Sequence, residues 1–208
     1  MTLIFFSIGN PGPITRHSCG HYILKLLMRE NSAKQLTKQS PSATYSISID
    51  SDVVYVHSNT FMNESSKAWL SFTKSEKKTV FVGDGNVVLV LYDDFESELG
   101  SVKLSRFKKN ESHNGLKDLK KVVDDGDGVF LLGIGIGPKP VAATRDTMAR
   151  WVLSPFNANE KARLDNEVLD LVNLYIGEIE SVGGEKSDVN KFNARMKKMW
   201  KSQQQQQE

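Results

Sequence analysis

The segment Val87-Val88-Leu89-Val90-Leu91-Tyr92 is apolar at every position except its closing phenol, and it runs straight into Asp93-Asp94-Phe95-Glu96. An apolar run without alternation is buried on both faces, and such a strand belongs in the middle of a parallel sheet covered by helices. Leu3-Ile4-Phe5-Phe6-Ser7-Ile8 and Val129-Phe130-Leu131-Leu132-Gly133-Ile134-Gly135-Ile136 have the same character. With helical patterns between them, these runs predict an α/β fold. A chain of 208 residues suits a single domain, with a mixed, mostly parallel twisted sheet flanked by helices.

The helical patterns begin near Cys19, where Tyr22, Leu24, Leu26 and Leu27 form an apolar stripe. They recur through Ala68, Trp69, Leu70 and Phe72, from Asn114 to about Val123, and over 144–151 and 157–181. Thr44 to Ile49 alternates and Val53 to His57 returns after Asp50-Ser51-Asp52, which predicts a hairpin. A short strand is expected near Gly100–Arg106, and the polar stretches 30–43 and 73–86 read as loops. The organisation expected is a domain over 1–184 and a tail over 185–208, the tail holding a basic helix at about 188–200 and then a disordered glutamine run.

No apolar run approaches the ~20 residues of a membrane helix, so no membrane partner is expected. The single cysteine, Cys19, excludes an internal disulfide and fits a reducing compartment. The first strand starts so close to Met1 that no cleavable presequence is expected, which leaves a cytoplasmic or mitochondrial location.

Chemistry is concentrated where strands meet helices, the crevice in which open α/β sheets bind ligands. The first strand leads into Ile8-Gly9-Asn10-Pro11-Gly12-Pro13-Ile14-Thr15-Arg16-His17, and Asp93 follows the central strand. Asn63 and Asn114 stand where helices open; both also fit plain N-caps, and Asn10 fits plain turn chemistry. Together, one imidazole, one carboxylate and three amides suit hydrolysis by activated water. His17 would take the proton, Asp93 would orient the ring, and the amides would hold water and the acyl oxygen. No Gly-x-Ser-x-Gly elbow supports a serine nucleophile, and Cys19 reads as a small buried residue at a helix start. Asp93, Asp94 and Glu96 offer an alternative Mg²⁺ site, with no phosphate loop to accompany it.

Net charge is only +2, but Lys103, Arg106, Lys108, Lys109, Lys117, Lys120 and Lys121 cluster beside Asn114, and Lys191, Arg195, Lys197, Lys198 and Lys201 follow in the tail. That distribution points to contact with a nucleic-acid backbone.

Gly9-Asn10-Pro11-Gly12, Thr15-Arg16-His17, Thr60-Phe61-Met62-Asn63, Asp93-Asp94, His113-Asn114-Gly115-Leu116-Lys117-Asp118 and Gly133-Ile134-Gly135 occur in this order over residues 3 to about 153. In these motifs the chain resembles the bacterial-type peptidyl-tRNA hydrolases, a family also found in eukaryotes. The resemblance implies a monomeric enzyme that cleaves the ester between a peptide and the 3′ ribose of tRNA, without metal or cofactor. It makes His17 the base, Asp93 its partner, and Asn10, Asn63 and Asn114 the amides that hold substrate and water. Met62 and Phe61 would line the substrate site, and Lys103, Arg106, Lys108 and Lys109 would touch the tRNA backbone. The family's phosphate-clamp positions hold Ser105 and Leu131, and Phe107-Lys108-Lys109-Asn110-Glu111-Ser112 replaces its glycine-rich loop. These departures leave a second class of function open, a non-catalytic RNA-binding homologue.

Overall fold

The computed structural model describes residues 1–81, 85–123, 128–182 and 188–206. The strands are β1 (Leu3–Ser7), β2 (Tyr45–Asp50), β3 (Val53–Ser58), β4 (Val87–Glu98), β5 (Val102–Ser105) and β6 (Val129–Gly137). They form one sheet in the order β2-β3-β1-β4-β6-β5. β1 lies parallel to both β3 and β4, with Phe5 level with Tyr55 and Leu89, and β4 lies parallel to β6. The β2–β3 hairpin and the β5–β6 pair are antiparallel. The mixed, mostly parallel sheet expected from the apolar runs is therefore present.

The helices are α1 (Cys19–Glu30), α2 (Ser65–Ser75), α3 (Asn114–Leu119), α4 (Arg145–Val152), α5 (Ala158–Arg163), α6 (Leu169–Ser181) and α7 (Val189–Gln206). A π-helical turn, Leu164–Val168, joins α5 to α6. Alternate residues of the central strands feed two apolar layers. Leu89, Leu91 and Leu132 pack with Leu24 and Leu27 of α1, Val172 of α6 and Phe192 of α7. Val88, Val90 and Leu131 face the other way, against Trp69 and Phe72 of α2 and Leu119 of α3. Among the described residues no helix is long and apolar enough to cross a membrane.

Several boundaries differ from expectation. The central strand does not end at Tyr92. Pairing with β6 carries β4 through Asp93 and Asp94 and, after a register shift, to Glu98 opposite Gly137. Backbone pairing needs no apolar side chain, so loss of the apolar run does not end the strand. The helix expected from Asn114 to about Val123 stops at Leu119. The glutamine run, expected to be disordered, continues α7 to Gln206. Glutamine forms helix readily, and extending an existing helix avoids the cost of nucleation. The polar stretch 30–43 contributes one bridge, Thr37 to Ile47, at the β2 edge. The boundary expected at 184/185, and part of the loop expected over 73–86, lie outside the described residues.

The opposite edge, β5, is closed by a side chain. Asn193 of α7 accepts from the Leu104 N–H at 2.9 Å and donates to the Leu104 carbonyl at 2.7 Å. Its amide thus stands in for the missing neighbouring strand, and the Tyr175 hydroxyl, which donates to the Val102 carbonyl at 2.9 Å, lies 3.1 Å from Asn193 Oδ1. Asn193→Ala should strand these partly buried backbone groups and lower stability by about 1–3 kcal/mol in denaturant unfolding.

Candidate active site

The crevice forms where β1 runs out at Ser7, level with Leu91, beside the continuing β4. Beyond Ser7 the chain stays attached to β4 for one more residue, the Ile8 N–H donating to the Leu91 carbonyl at 3.1 Å. It then turns through Asn10–Gly12 into a short 3-10 turn, Arg16–Ser18, and into α1. Gly20 lets α1 press directly on the sheet, since a Cβ there would collide with the Leu91 carbonyl oxygen. This close approach sets His17 against the continuation of β4.

His17 Nδ1 donates to Asp93 Oδ2 at 2.8 Å, and the Asp93 side chain has no exposed surface. A second imidazole completes the arrangement. His113 caps α3 by accepting the Leu116 N–H on Nδ1 at 3.3 Å. Its proton therefore sits on Nε2, which lies 3.0 Å from Asp93 Oδ1 and donates to it. Both carboxylate oxygens are thus occupied by imidazole N–H groups, and His17 Nε2 is left unengaged. Burial alone would raise the Asp93 carboxyl, but attraction to His113 and His17 overcomes it and holds it at about 2. For His17, burial is the largest influence and lowers basicity. The charge of Asp93 and the hydrogen bond to it together outweigh burial and raise His17 above its ordinary 6.5.

The cavity beside His17 is about 410 Å³ and is lined by Asn10, His17, Phe95, Asn114, Arg145 and Met148, among others. The Asn10 amide is oriented by the protein: its Oδ1 accepts the Met62 N–H at 2.9 Å, which leaves its NH₂ as a donor. Gly115 allows this packing, because a Cβ there would strike Met62. Asn114 is the first residue of α3 rather than its cap, and is exposed to the cavity. Met62 is buried beneath this corner. Asn63 and Phe61 do not line the cavity; both are exposed, Phe61 as the residue before a second 3-10 turn and Asn63 within it. Neither asparagine expected as a possible N-cap plays that part.

Sequence reasoning missed three contributors. His113 is one, and its signal in the sequence is a histidine immediately before a helix-opening asparagine. Arg16 is structural: it pairs with Glu160 at 2.6 Å, donates to the Ile136 carbonyl at 3.1 Å and lies over the Phe156 ring at 5.0 Å. It thereby ties the turn bearing His17 to the segment following α4. Arg145, Met148 and Val152 of α4 form a wall of the cavity, and no residue-type signal marked that helix.

The basic residues divide. Lys103, Lys108 and Lys109 are exposed. Arg106 is engaged within the protein, donating to the Val129 carbonyl at 2.6 Å with its guanidinium 3.6 Å from the Phe130 ring centre. Ser105 and Leu131 face each other across β5 and β6, with Leu131 buried in the core. The alternative metal set is not assembled. Asp93 is turned inward, whereas Asp94 accepts from the Glu96 N–H and the Ser97 hydroxyl and Glu96 pairs with Lys139. The ligand atoms of His17, Asp93 and His113 lie within 4.8 Å of one another, but the hydrogen bonds between them already use those atoms. Burial first, then the charge of Asp93, pushes the Cys19 thiol well above its ordinary range, so it is no nucleophile.

The sequence model of the family described as Peptidyl-tRNA hydrolase matches residues 4–201, nearly the whole chain. The chain belongs to the peptidyl-tRNA hydrolase family. The peptidyl-tRNA hydrolase of Wolinella succinogenes is 29% identical over 172 residues, covering 80% of this chain and 81% of that protein. That of Exiguobacterium sibiricum is 32% identical over 176 residues, covering 80% and 88%. The crystal structure of the Acinetobacter baumannii peptidyl-tRNA hydrolase superposes with a TM-score of 0.67 at 24% identity, over 93% of this chain and 95% of that one, which attests the fold.

If Asp93 is what raises His17, Asp93→Asn leaves only burial acting on the ring, and its midpoint should fall below 6.5. NMR titration of the histidine Cε1–H signals measures this directly, and an unchanged His17 midpoint would refute the assignment.

Proposed function

We propose that the chain hydrolyses the ester of peptidyl-tRNA, releasing peptide and free tRNA, with water activated by His17. The observation that carries this reading is the fixed tautomer of His17. Asp93 holds its Nδ1–H, itself steadied by His113, and Nε2 is left as a free base beside a cavity. Water placed there loses a proton to Nε2 as its oxygen attacks the acyl carbon. The NH₂ groups of Asn10 and Asn114 supply neutral donors for the oxygen on which negative charge develops. Collapse of the tetrahedral adduct breaks the carbon–oxygen bond to the ribose, and the leaving 3′ oxygen recovers the proton from His17. Every group in this scheme comes from one chain, which suits a monomer. The location read with it is cytoplasmic or mitochondrial.

The exposed Lys103, Lys108 and Lys109 suit contact with phosphates. Lys120 braces the loop bearing two of them by donating to the Lys108 and Lys109 carbonyls, which keeps their side chains outward. The basic helix of the 185–208 tail is read as a further cationic element on the 1–184 domain. The buried Leu131 at a clamp position favours a second reading, RNA binding without turnover. Protein that binds tRNA but cleaves no ester would select it.

His17→Ala should lower the rate of N-acyl-aminoacyl-tRNA cleavage by roughly 10²–10⁴, the usual worth of a general base, with wild type fully active in excess EDTA. Because only neutral His17 can accept the proton, the rate should rise with pH through a midpoint above 6.5 and then level off. A flat profile from pH 5 to 9 would contradict the role of His17. Lys108→Ala with Lys109→Ala should weaken tRNA binding and reduce the slope of log affinity against log salt by about 2. An unchanged slope would place the RNA elsewhere.

A further inference from the structure

A second cavity, of about 270 Å³, shares only Asn10 with the first and is lined by His21, Lys25, Lys38, His57 and Asn59 among others. None of these five residues has a part in the hydrolytic scheme. Two imidazoles stack here, ring centres 3.8 Å apart and planes within 19° of parallel. His21 is the inner ring, 2% exposed. The Ser7 hydroxyl lies 2.9 Å from His21 Nδ1 and 3.3 Å from the Val56 carbonyl. His21 Nε2 is buried against the backbone at Gly9.

His57 is the outer, half-buried ring. The Asn59 amide is oriented by its donation to the Ala43 carbonyl at 3.0 Å, so its oxygen faces His57 Nδ1 at 3.1 Å and fixes the proton there. His57 Nε2 therefore presents a lone pair. Burial, then His57 and Lys25, keep His21 well below 6.5 despite a hydrogen bond to the Gly9 backbone. Burial, then Lys25 and Lys38, keep His57 lowered despite its bond to Asn59. Both rings are biased towards the neutral form, and two lysines line the same cavity.

This combination is selective. The lysines repel a metal cation, and in-plane lone pairs of parallel rings do not converge on one ion. A phosphodiester alone would satisfy the lysines but, having no O–H, would set acceptor against acceptor at His57. An occupant that pairs with both sets of groups carries an anion and, next to it, a hydroxyl that can donate. We propose that this cavity is a ribose-phosphate subsite, in which Lys25 and Lys38 hold a phosphate and His57 Nε2 accepts a hydrogen bond from a ribose 2′-OH. His21 is the buried platform that keeps His57 flat and uncharged. An RNA strand and a free ribonucleotide share this chemistry. The common wall at Asn10 favours the strand, because RNA leaving the ester would need only to cross that turn. To that extent the proposal rests on the function proposed above.

The chain has four histidines, so each cavity has two reporters: His21 and His57 for this one, His17 and His113 for the other. The full chain is titrated with AMP, with 2′-deoxy-AMP, and with an RNA trinucleotide and its DNA counterpart, and the histidine Cε1–H signals are followed. AMP should move the His21 and His57 signals, and the deoxy ligand should bind roughly 3- to 10-fold more weakly, as expected for one lost hydrogen bond. His57→Phe keeps a ring in the stack and should erase that preference. Lys25→Gln should weaken both nucleotides alike. Shifts confined to His17 and His113, equal affinity for the two nucleotides, or an unaltered preference in His57→Phe would each overturn the proposal. Movement of the same signals by the RNA trinucleotide assigns the cavity to the substrate strand, and a response to AMP alone assigns it to a free nucleotide. A protein that gives these shifts yet cleaves no ester would refute the hydrolase reading and leave the subsite standing.

Discussion

A carboxylate with no exposed surface lies at the centre of this structure, and the elements around it are placed to keep it charged. Burying an unpaired carboxylate costs several kcal/mol at least, so Asp93 is tolerable only while His17 and His113 both donate to it. Each imidazole belongs to a different element. One is carried by the turn after β1 and the other caps α3. The close approaches at Gly20 and Gly115 bring those elements within reach. The hydrogen bonds that make the buried charge affordable also leave His17 Nε2 without a partner. The stability of this centre and the unengaged nitrogen of His17 have one cause.

How much of this was legible follows from what sequence patterns encode. The runs at 3–8, 87–92 and 129–136 announced buried parallel strands because burial on both faces removes polar residues altogether. They did not reveal where β4 stops, since Asp93 and Asp94 pair through their backbones regardless of side chain. His17, Asp93, Asn10 and Asn114 were readable from residue type at loop and helix-start positions, and the structure places all four at one crevice. Asn63 and Phe61 matched a motif equally well but stand outside the cavity, because a 3-10 turn points them to solvent. His113 and Arg16 stayed silent because their work lies in partners distant in sequence: Asp93 for one, Ile136 and Glu160 for the other.

Charge was the least legible property. A count of lysines and arginines along one segment cannot separate a cation facing water from one turned back on its own fold. Arg106 illustrates this, with a backbone carbonyl and an aromatic face as its neighbours while Lys108 and Lys109 stand exposed. At Leu131 the strand's inward direction commits the position to the core, whatever a relative might place there.

The closure of the sheet margins has a consequence for the protein in concentrated solution. An open strand edge is a template on which another chain can add, and through which sheets join into aggregates. Here one margin is spent on the bridge from Thr37 to Ile47, and the other on the Asn193 amide, which imitates a peptide unit without being one. The tail helix therefore acts as a stopper on a surface that would otherwise recruit strands. Its loss should be felt first as a tendency of the protein to stick to itself.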